Sequence, residues 1–300
     1  MDGLVLVRKP SGPTSHDCVV RLRKILQTKK IGHFGTLDPF AEGLLLIGVG
    51  RATRLFPYFG VSDKTYEGRI RLGFGTDTYD RTGTPAGPEA DSLPGEADVR
   101  AAMARFQGEI DQLAPPFSAK KLAGKPLYSY ARSGIEVGRR SSRVRIDRFA
   151  LRAFNPPDID FEVACSAGTY IRSLAQDLGT ALGCGANLAS LLRTSSGSYQ
   201  LENARTFEEI ESAVAAGRVE EVIFPMETLL GRLPTVDLTE SGRARVKNGR
   251  SVSLSDPEMA APFGPRPPEG GTIRLFDPDK RLIALARVRA DEGAPFLVLI

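Results

Sequence analysis

The sequence KTYEGRIRL, Lys64–Leu72, alternates between apolar and charged positions and decides the class of fold. In an extended chain Tyr66 and Ile70 fall on one face, whereas Glu67 and Arg69 fall on the other. A strand that covers a core on one face and meets solvent on the other has this pattern, which is typical of antiparallel sheets. The alternation therefore predicts a strand that turns Tyr66 toward the apolar side.

Further strands and helices surround this stretch without a regular βαβ repeat. Apolar runs at residues 4–7 and 44–49 predict buried strands, and a second alternation at residues 159–165 predicts another. A helix from about residue 15 to residue 26 lies between the first two strands. This interleaving predicts an α+β domain around a mixed or antiparallel sheet.

The character of the sequence changes near residue 231, where short β-like segments and a Pro/Gly-rich excursion begin. We predict a main domain over residues 1–230 and a small all-β module over residues 231–300. The predicted strands of the module lie at residues 272–276, 282–288 and 296–300. A basic turn before them is a candidate phosphate-contacting edge and contains Arg243, Arg245, Lys247 and Arg250.

A glycine-bracketed loop, GHFGTLDP at residues 32–39, carries one carboxylate. Gly32 and Gly35 permit backbone angles that are closed to other residues, and Pro39 biases Asp38 toward an extended conformation. Such a loop can hold a reactive carboxylate in a fixed direction. An ordinary Asp-Pro turn is the alternative, because both residues are common in turns for local reasons.

Residues 165–172, CSAGTYIR, form a second unusual segment because they place an arginine at the start of a predicted helix. If Thr169 is the N-cap, Arg172 lies in the first turn, where a cation opposes the helix dipole. This position predicts a carboxylate or phosphate partner for Arg172. The alternative is that its side chain reaches solvent from an exposed face.

The composition excludes several classes of protein. The chain has 300 residues, with 40 Lys+Arg against 36 Asp+Glu, and the net charge of +4 is compatible with a polyanionic partner. The cysteines at 18, 165 and 184 are too few for a disulfide framework or a four-ligand zinc site, which favours a cytoplasmic protein. No apolar run approaches about 18 residues, so we expect neither a signal peptide nor a membrane span.

Five blocks, in order, carry a resemblance to a known family. They read KPSGPTS at 9–15, GHFGTLDP at 32–39, DKTY at 63–66, FSAKKLAGKPLYSYAR at 117–132 and CSAGTYIR at 165–172, with DLG at 177–179 and LLRT at 191–194 completing the series. Together these blocks resemble the TruB family of bacterial tRNA pseudouridine-55 synthases. One departure is Phe117, where family members commonly carry tyrosine, so a ring is kept and a hydroxyl is lost.

The resemblance implies the fold and the reaction. It implies an α+β pseudouridine-synthase catalytic domain over residues 1–230 and a PUA-like RNA-binding domain over residues 231–300. The implied reaction isomerises uridine 55 in the T-loop of tRNAs, with base flipping and without a cofactor or a metal. The implied partner is the T-arm of tRNA, and we expect a cytoplasmic monomer with no obligate protein partner.

The resemblance also implies a catalytic set of Asp38, Arg172 and Tyr66. Asp38 would attack the target uridine at the base or at the ribose, and these two modes stay open. Arg172 would pair with Asp38 and keep it ionised, since a nearby cation lowers a carboxyl pKa. Tyr66 would stack on the base and help to remove the C5 proton, although a purely structural core tyrosine would occupy the same face.

Four further residues receive substrate-binding roles from the same resemblance. His33 would lie against the RNA loop and fill the space left by the flipped nucleotide. Tyr170 and Leu191 would line the uridine pocket, and Lys9 would contribute to its floor. Asp77 and Asp80 also match the family, but we interpret them as a solvated turn and leave them out of the catalytic set.

Two other functions compete with this interpretation. A protein that only binds or folds RNA would share every basic and aromatic feature. It would have no reason to hold the carboxylate of Asp38 in the path of a polyanion, where it repels phosphate. A guide-RNA-directed relative is the second alternative, and the compact tail without lysine-rich extensions disfavours it.

Overall fold

The computed structural model describes residues 1–118, 141–261 and 268–300, and between 118 and 141 only the backbone of 121–122 and 125–126 and residues 130, 133, 135 and 138. Most of the fourth sequence block, after Ser118, therefore lies outside the described residues.

Ten strands of the described residues form a mixed main sheet, as the sequence predicts. These are β1 (Gly3–Lys9), β2 (Ile31–His33), β3 (Glu42–Val49), β4 (Lys64–Leu72), β7 (Gly108–Leu113), β10 (Ser141–Asn155), β11 (Asp158–Cys165), β12 (Ala186–Ser196), β13 (Tyr199–Gln200) and β14 (Phe224–Pro225). The order is β14-β1-β3-β12-β4-β11-β10-β7, with β2 on β3 and β13 on β12. Short pairs β5–β6 (Gly75–Thr76, Pro85–Ala86) and β8–β9 (Lys121–Leu122, Lys125–Pro126) lie outside this sheet.

Strand β12 lies in the centre of the main sheet, between β3 and β4. It pairs antiparallel with β4 along most of its length, but its parallel pairing with β3 is limited to Leu192 with Glu42 and Arg193 with Gly43. The alternation in β4 is confirmed, because Tyr66, Ile70 and Leu72 are buried. An apolar core of aliphatic and aromatic side chains lies against this part of the sheet.

Helices lie between the strands of the main sheet along the chain. They are α1 (Ser15–Ile25), α2 (Phe56–Phe59), α3 (Glu96–Ala104), α4 (Ile171–Leu182) and α5 (Phe207–Ala215). Thr14 caps α1 in a reciprocal arrangement with Asp17. The predicted N-cap of α4 is wrong by one residue: Tyr170 is the N-cap, because the Thr169 hydroxyl donates to the carbonyl of Ser166 instead.

The C-terminal residues form a second sheet with the order β15-β17-β18-β19-β16. Its strands are β15 (Thr235–Asp237), β16 (Val252–Ser253), β17 (Thr272–Phe276), β18 (Leu282–Arg289) and β19 (Glu292–Val298). The basic segment predicted as a turn is instead a helix, α6 (Glu240–Lys247), because the Thr239 side chain accepts from the backbone of Gly242 and caps it.

The two sheets share an apolar cluster. Leu4 and Leu6 of β1 pack in one buried group with Leu285 and Leu299 of the C-terminal region. Arg51, which follows β3, donates to the carbonyl of Leu299 at 2.7 Å. The boundary at residue 231 lies between the two sheets and stays a prediction.

Candidate active site

The loop between β2 and β3 is held at both ends. Phe34 is buried and stacks on Phe59 with ring centroids 4.9 Å apart. Ser15, from α1, donates to the carbonyl of Leu37 at 3.0 Å and accepts from its amide at 2.8 Å. Gly35 has a φ of +106°, which only glycine adopts without strain. The loop therefore presents Asp38 from a fixed backbone.

Lys9 lies under the same loop. Its side chain is fully buried, and its ammonium donates to the carbonyls of Pro10, Pro39 and Ala41 at 2.9, 3.0 and 2.7 Å. Burial lowers the pKa of Lys9, while the charge of Asp38 is among the influences that raise it. The structure thus places Lys9 beside the loop residues that follow Asp38.

Arg172 meets Asp38 across 134 residues of sequence. Arg172 Nε lies 2.8 Å from Asp38 Oδ2, and Nη2 lies 2.9 Å from Oδ1, so the guanidinium binds both carboxylate oxygens. Arg172 is 4% exposed, whereas 32% of the Asp38 side chain is exposed. The unfavourable position of Arg172 at a helix start is therefore explained by a carboxylate partner.

Arg172 has further acceptors, and one of them corrects a prediction. Its guanidinium donates to the carbonyls of Thr78 at 3.1 Å and Phe117 at 2.9 Å, and Nη1 lies 3.4 Å from Asp80 Oδ2. Asp80 is 4% exposed, so the interpretation of Asp80 as part of a solvated turn is wrong. Asp77 does lie in a turn, where it accepts from the amide of Thr84.

Burial dominates the electrostatics of Asp38. Desolvation raises the pKa of Asp38 above the ordinary value of an aspartate, while Arg172 opposes the rise and the charge of Asp80 adds to it. Arg172 lowers the pKa of Asp38, as the sequence predicts, but burial outweighs this effect, and the sequence did not predict that burial. Arg172 reduces the free-energy cost of burying the Asp38 carboxylate but does not eliminate that cost.

Tyr66 lies two strands away from the loop, beside a buried arginine. Tyr66 of β4 is paired directly with Arg193 of β12, and the guanidinium of Arg193 interacts with the Tyr66 phenol. Burial raises the pKa of Tyr66, and the positive charge of Arg193 opposes this rise. Tyr66 is 7% exposed and belongs to the apolar core, so its structural role is real.

His33, Tyr170 and Leu191 are the remaining predicted residues. Burial lowers the pKa of His33, which is half-buried and has an Nδ1 that is buried without a hydrogen bond. Tyr170 exchanges two backbone hydrogen bonds with the side chain of Gln112, and the charges of Arg172 and Asp38 act on its phenol. Leu191 is buried in the core cluster that contains Tyr66.

Sequence reasoning missed Asp80, Gln112 and Arg193. Asp80 lies in a segment that matches the family, and this match could have indicated a role for it in the site. Gln112 orients the backbone of Tyr170. It lies outside the sequence blocks that resemble the family, so nothing in the sequence indicated this role. Arg193 stands in the LLRT block, and its burial follows only from the central place of β12.

The described residues offer neither a metal site nor a membrane span. Among them, no group of three or more His, Cys, Asp or Glu side chains is arranged to hold a metal ion. No helix in the described ranges is long and apolar enough to cross a membrane. Chemically, the site offers one partly exposed carboxylate, a guanidinium that binds it and a phenol at the edge of the core.

Known protein families match the chain in two segments. The model for the TruB family pseudouridylate synthase N-terminal domain matches residues 23–171. The model for the tRNA pseudouridylate synthase B C-terminal domain matches residues 172–231. The second segment contains Arg172 and strand β12, so the residues around Asp38 come from both.

Curated relatives named tRNA pseudouridine synthase B align over nearly the whole chain. The Burkholderia mallei protein is 44% identical over 293 residues, covering 98% of this chain and 94% of the relative. The Thiobacillus denitrificans protein is 41% identical, covering 98% and 95%. The Bacillus pumilus protein is 40% identical, covering 95% and 92%.

Solved structures extend the likeness to the fold. A chain of an H/ACA ribonucleoprotein bound to a substrate RNA containing 2′-deoxyuridine has a TM-score of 0.76 at 25% identity, covering 99% of this chain and 85% of that one. A chain of a Cbf5-Nop10-Gar1 complex has a TM-score of 0.76 at 27% identity with the same coverage. The chain belongs to the TruB family of pseudouridylate synthases.

Proposed function

We propose that this protein converts uridine 55 in the T-loop of tRNAs to pseudouridine, with Asp38 as the catalytic carboxylate. The observation that carries the proposal is the two-point contact between Asp38 and Arg172. It leaves 32% of the Asp38 side chain exposed while its partner is buried. Relatives at 40–44% identity are named for tRNA, which supports the choice of substrate.

The reaction is an isomerisation, so atoms and electrons balance within the nucleotide. Asp38 attacks either C6 of the base or C1′ of the ribose, and the N1–C1′ bond breaks. The freed uracil rotates and C5 bonds to C1′. The bond between Asp38 and the nucleotide breaks and restores the carboxylate, the C5 proton leaves and N1 gains a proton. Arg172 orients the attacking carboxylate, and Tyr66 stacks on the base and helps to take the C5 proton.

Base flipping is required because a uridine inside a folded T-loop cannot otherwise reach a carboxylate on the enzyme. Half-buried His33 and Tyr170 lie close to the Asp38 loop, where they would contact the RNA loop and the extruded uridine. Leu191 and Lys9 would complete the pocket. The module over residues 231–300 would extend the RNA-binding surface, and the enzyme would act as a cytoplasmic monomer.

A protein that only binds RNA is disfavoured by the charges around Asp38. Burial raises the pKa of this carboxyl, so holding it there costs free energy and also repels phosphate. A binding surface gains nothing from that cost. An enzyme gains a poised nucleophile.

The experiment is to incubate the protein with an unmodified tRNA transcript and map pseudouridine by chemical adduct formation and primer extension. We expect modification at uridine 55 alone. Asp38→Asn should lower single-turnover product formation by at least about 10⁴-fold and leave tRNA binding largely intact. Turnover retained in Asp38→Asn would refute the catalytic role, and no product from the wild type would favour a pure binder.

A further inference from the structure

One row of residues crosses the main sheet beneath the Asp38 loop. Lys9 of β1 is paired with Gly43 of β3, Gly43 with Arg193 of β12, and Arg193 with Tyr66 of β4. Residues paired in this way point to the same face of a sheet. The row therefore places two buried cations and the phenol side by side on the face that bears the loop.

Gly43 is the member of the row that lets the strands approach. Its φ is +104°, and a Cβ atom at this position would lie 2.4 Å from the carbonyl oxygen of Arg193. β3 and β12 are paired at only two positions, and this is one of them. The backbone of Arg193 is thus held against the strand that leaves the loop.

The side chain of Arg193 reaches the loop itself. Its Nε donates to the carbonyl of Leu44 at 2.7 Å, Nη1 to that of Thr36 at 3.4 Å and Nη2 to that of Gly35 at 3.4 Å. Gly35 and Thr36 lie three and two residues before Asp38. Tyr66 is the direct partner of Arg193 across β4 and β12, and the charge of the guanidinium acts on its phenol, so Arg193 stands between the loop and Tyr66.

The burial of the Arg193 charge between two strands is energetically unfavourable. It is 1% exposed, and within the described part of the chain no carboxylate lies at ion-pair distance from it. A buried charge that is compensated only by carbonyl dipoles costs free energy that an apolar side chain would not. The effect of the charge reaches its neighbours: after burial, Arg193 is the next cause that lowers the pKa of Lys64 to about 8.

We propose that Arg193 is a positioning residue for the isomerisation, because it is paired with Tyr66 across two strands while its guanidinium binds the loop of Asp38, which fixes the separation of the loop from Tyr66. The inference rests on the proposed roles of Asp38 and Tyr66. Arg193 does not touch the substrate. It acts through the two groups that do, and an error of about 1 Å in such a separation is enough to slow a reaction about 100-fold.

The test compares Arg193→Lys with Tyr66→Phe, singly and together, in the full-length enzyme with a tRNA transcript. We expect Arg193→Lys to slow the single-turnover rate about 100-fold and to change the Kd for tRNA by less than about 3-fold. If both residues act as one unit, the double variant will be about as slow as the slower single variant. A residue that only supports the sheet would instead give rate losses that multiply.

Arg274 offers a matched control. It is also buried and donates to the carbonyls of Glu227, Leu229 and Leu233, far along the chain from Asp38. Arg274→Lys should lower the melting temperature and leave the single-turnover rate of the folded protein within about 3-fold of wild type. Its losses should multiply with those of Tyr66→Phe.

The outcomes separate this inference from the proposed function. Wild-type protein that forms no pseudouridine would overturn both. If the wild type is active and Asp38→Asn is inactive, a full rate in Arg193→Lys, or losses that multiply with Tyr66→Phe, would overturn the positioning role alone. Arg193→Gln provides a second variant, and failure of both Arg193 variants to fold, judged by circular dichroism, would also count against the inference.

Discussion

The main sheet and the C-terminal sheet each bury an arginine that donates to backbone carbonyls, and the two arginines differ in what lies beside them. Arg193 lies between Tyr66 and the loop of Asp38. Arg274 joins the segment that leads into its own sheet, with a further bond to the hydroxyl of Thr235 at 2.7 Å. The first arrangement links two residues that we propose to be catalytic, and the second links a connecting segment to its sheet.

The acidic groups of the two regions differ in the same way. Asp38 is held by a buried guanidinium and still exposes 32% of its side chain. Asp277 of the C-terminal region exposes 2% of its side chain, accepts from the amide of Arg281 and lies near Arg243. Asp38 is therefore firmly bound but accessible to a substrate, whereas Asp277 is bound and inaccessible, as expected of a structural carboxylate.

After the loss of Asp38 itself, the largest effect should come from Arg172→Met. This change removes the partner of Asp38 and leaves Asp80 buried without its cation, so we expect the free energy of unfolding to fall by about 3–5 kcal/mol. Single-turnover pseudouridine formation should fall at least about 10³-fold. Denaturant titration and rapid-quench assays measure the two effects, and an equal rate loss in Arg274→Met would remove the contrast between the two regions.

Tyr66→Phe should give the next largest effect. The ring remains and the hydroxyl is lost, so stacking on the base is kept while proton removal from C5 is impaired. We expect a rate loss of about 10²-fold or more with the Kd for tRNA unchanged. Tyr66→Leu should in addition weaken binding by about 1–3 kcal/mol, measured by filter binding. A fully active Tyr66→Phe enzyme would leave Tyr66 only its place in the core.

The pH dependence should follow the raised pKa of Asp38. The carboxylate is active only when ionised, so kcat/KM should fall as the pH is lowered through this pKa, which lies above that of an ordinary aspartate. Asp80→Asn removes a negative charge that contributes to the rise. The acid limb should then move to lower pH, and the rate at neutral pH should fall about 10-fold, because Arg172 loses an ion-pair partner.

Asp277→Asn is the matched control for that shift, since it removes a buried carboxylate from the C-terminal region. The acid limb of this variant should coincide with that of the wild type. A shift of equal size in both variants would mean that net charge, not the neighbourhood of Asp38, sets the limb.

The smallest effects should come from exposed cations of the C-terminal region. Lys247→Ala and Arg250→Ala should leave the single-turnover rate unchanged. If these residues contact phosphates, each change should reduce the slope of log K against log salt by about 1, measured by tRNA binding at several salt concentrations. Lys280→Ala is a useful comparison, because Lys280 is paired with Asp237 at 2.7 Å. An unchanged slope would remove the predicted phosphate-contacting edge.

The sequence was sufficient for features that depend on local pattern. The alternation in β4 predicts its buried face, and the dipole argument predicts that Arg172 needs an anionic partner; both are confirmed. The family blocks brought Asp38 and Tyr66 into one proposed site. The predicted roles of these residues stay proposals.

Other features depend on contacts between distant segments and were out of reach. Asp80 has the local sequence of a turn, and only its approach to Arg172 explains its burial. The direction of the Asp38 pKa depends on how much of the carboxyl is desolvated, which no motif encodes. The sequence did not predict helix α6. The basic residues and Gly249 that follow its cap, Thr239, are typical of a turn.

The row from Lys9 to Tyr66 has a consequence for the order of events during synthesis. Its members are residues 9, 43, 66 and 193. Strand β12, which contains residue 193 and lies between β3 and β4, is the last of their strands to be synthesised. A nascent chain that ends before Ala186 already contains Asp38, Tyr66 and Arg172 but lacks the central strand between β3 and β4. Pairings of such long sequence separation form slowly. We therefore expect the proposed active site to form only after β12 has emerged from the ribosome and has paired with β3 and β4.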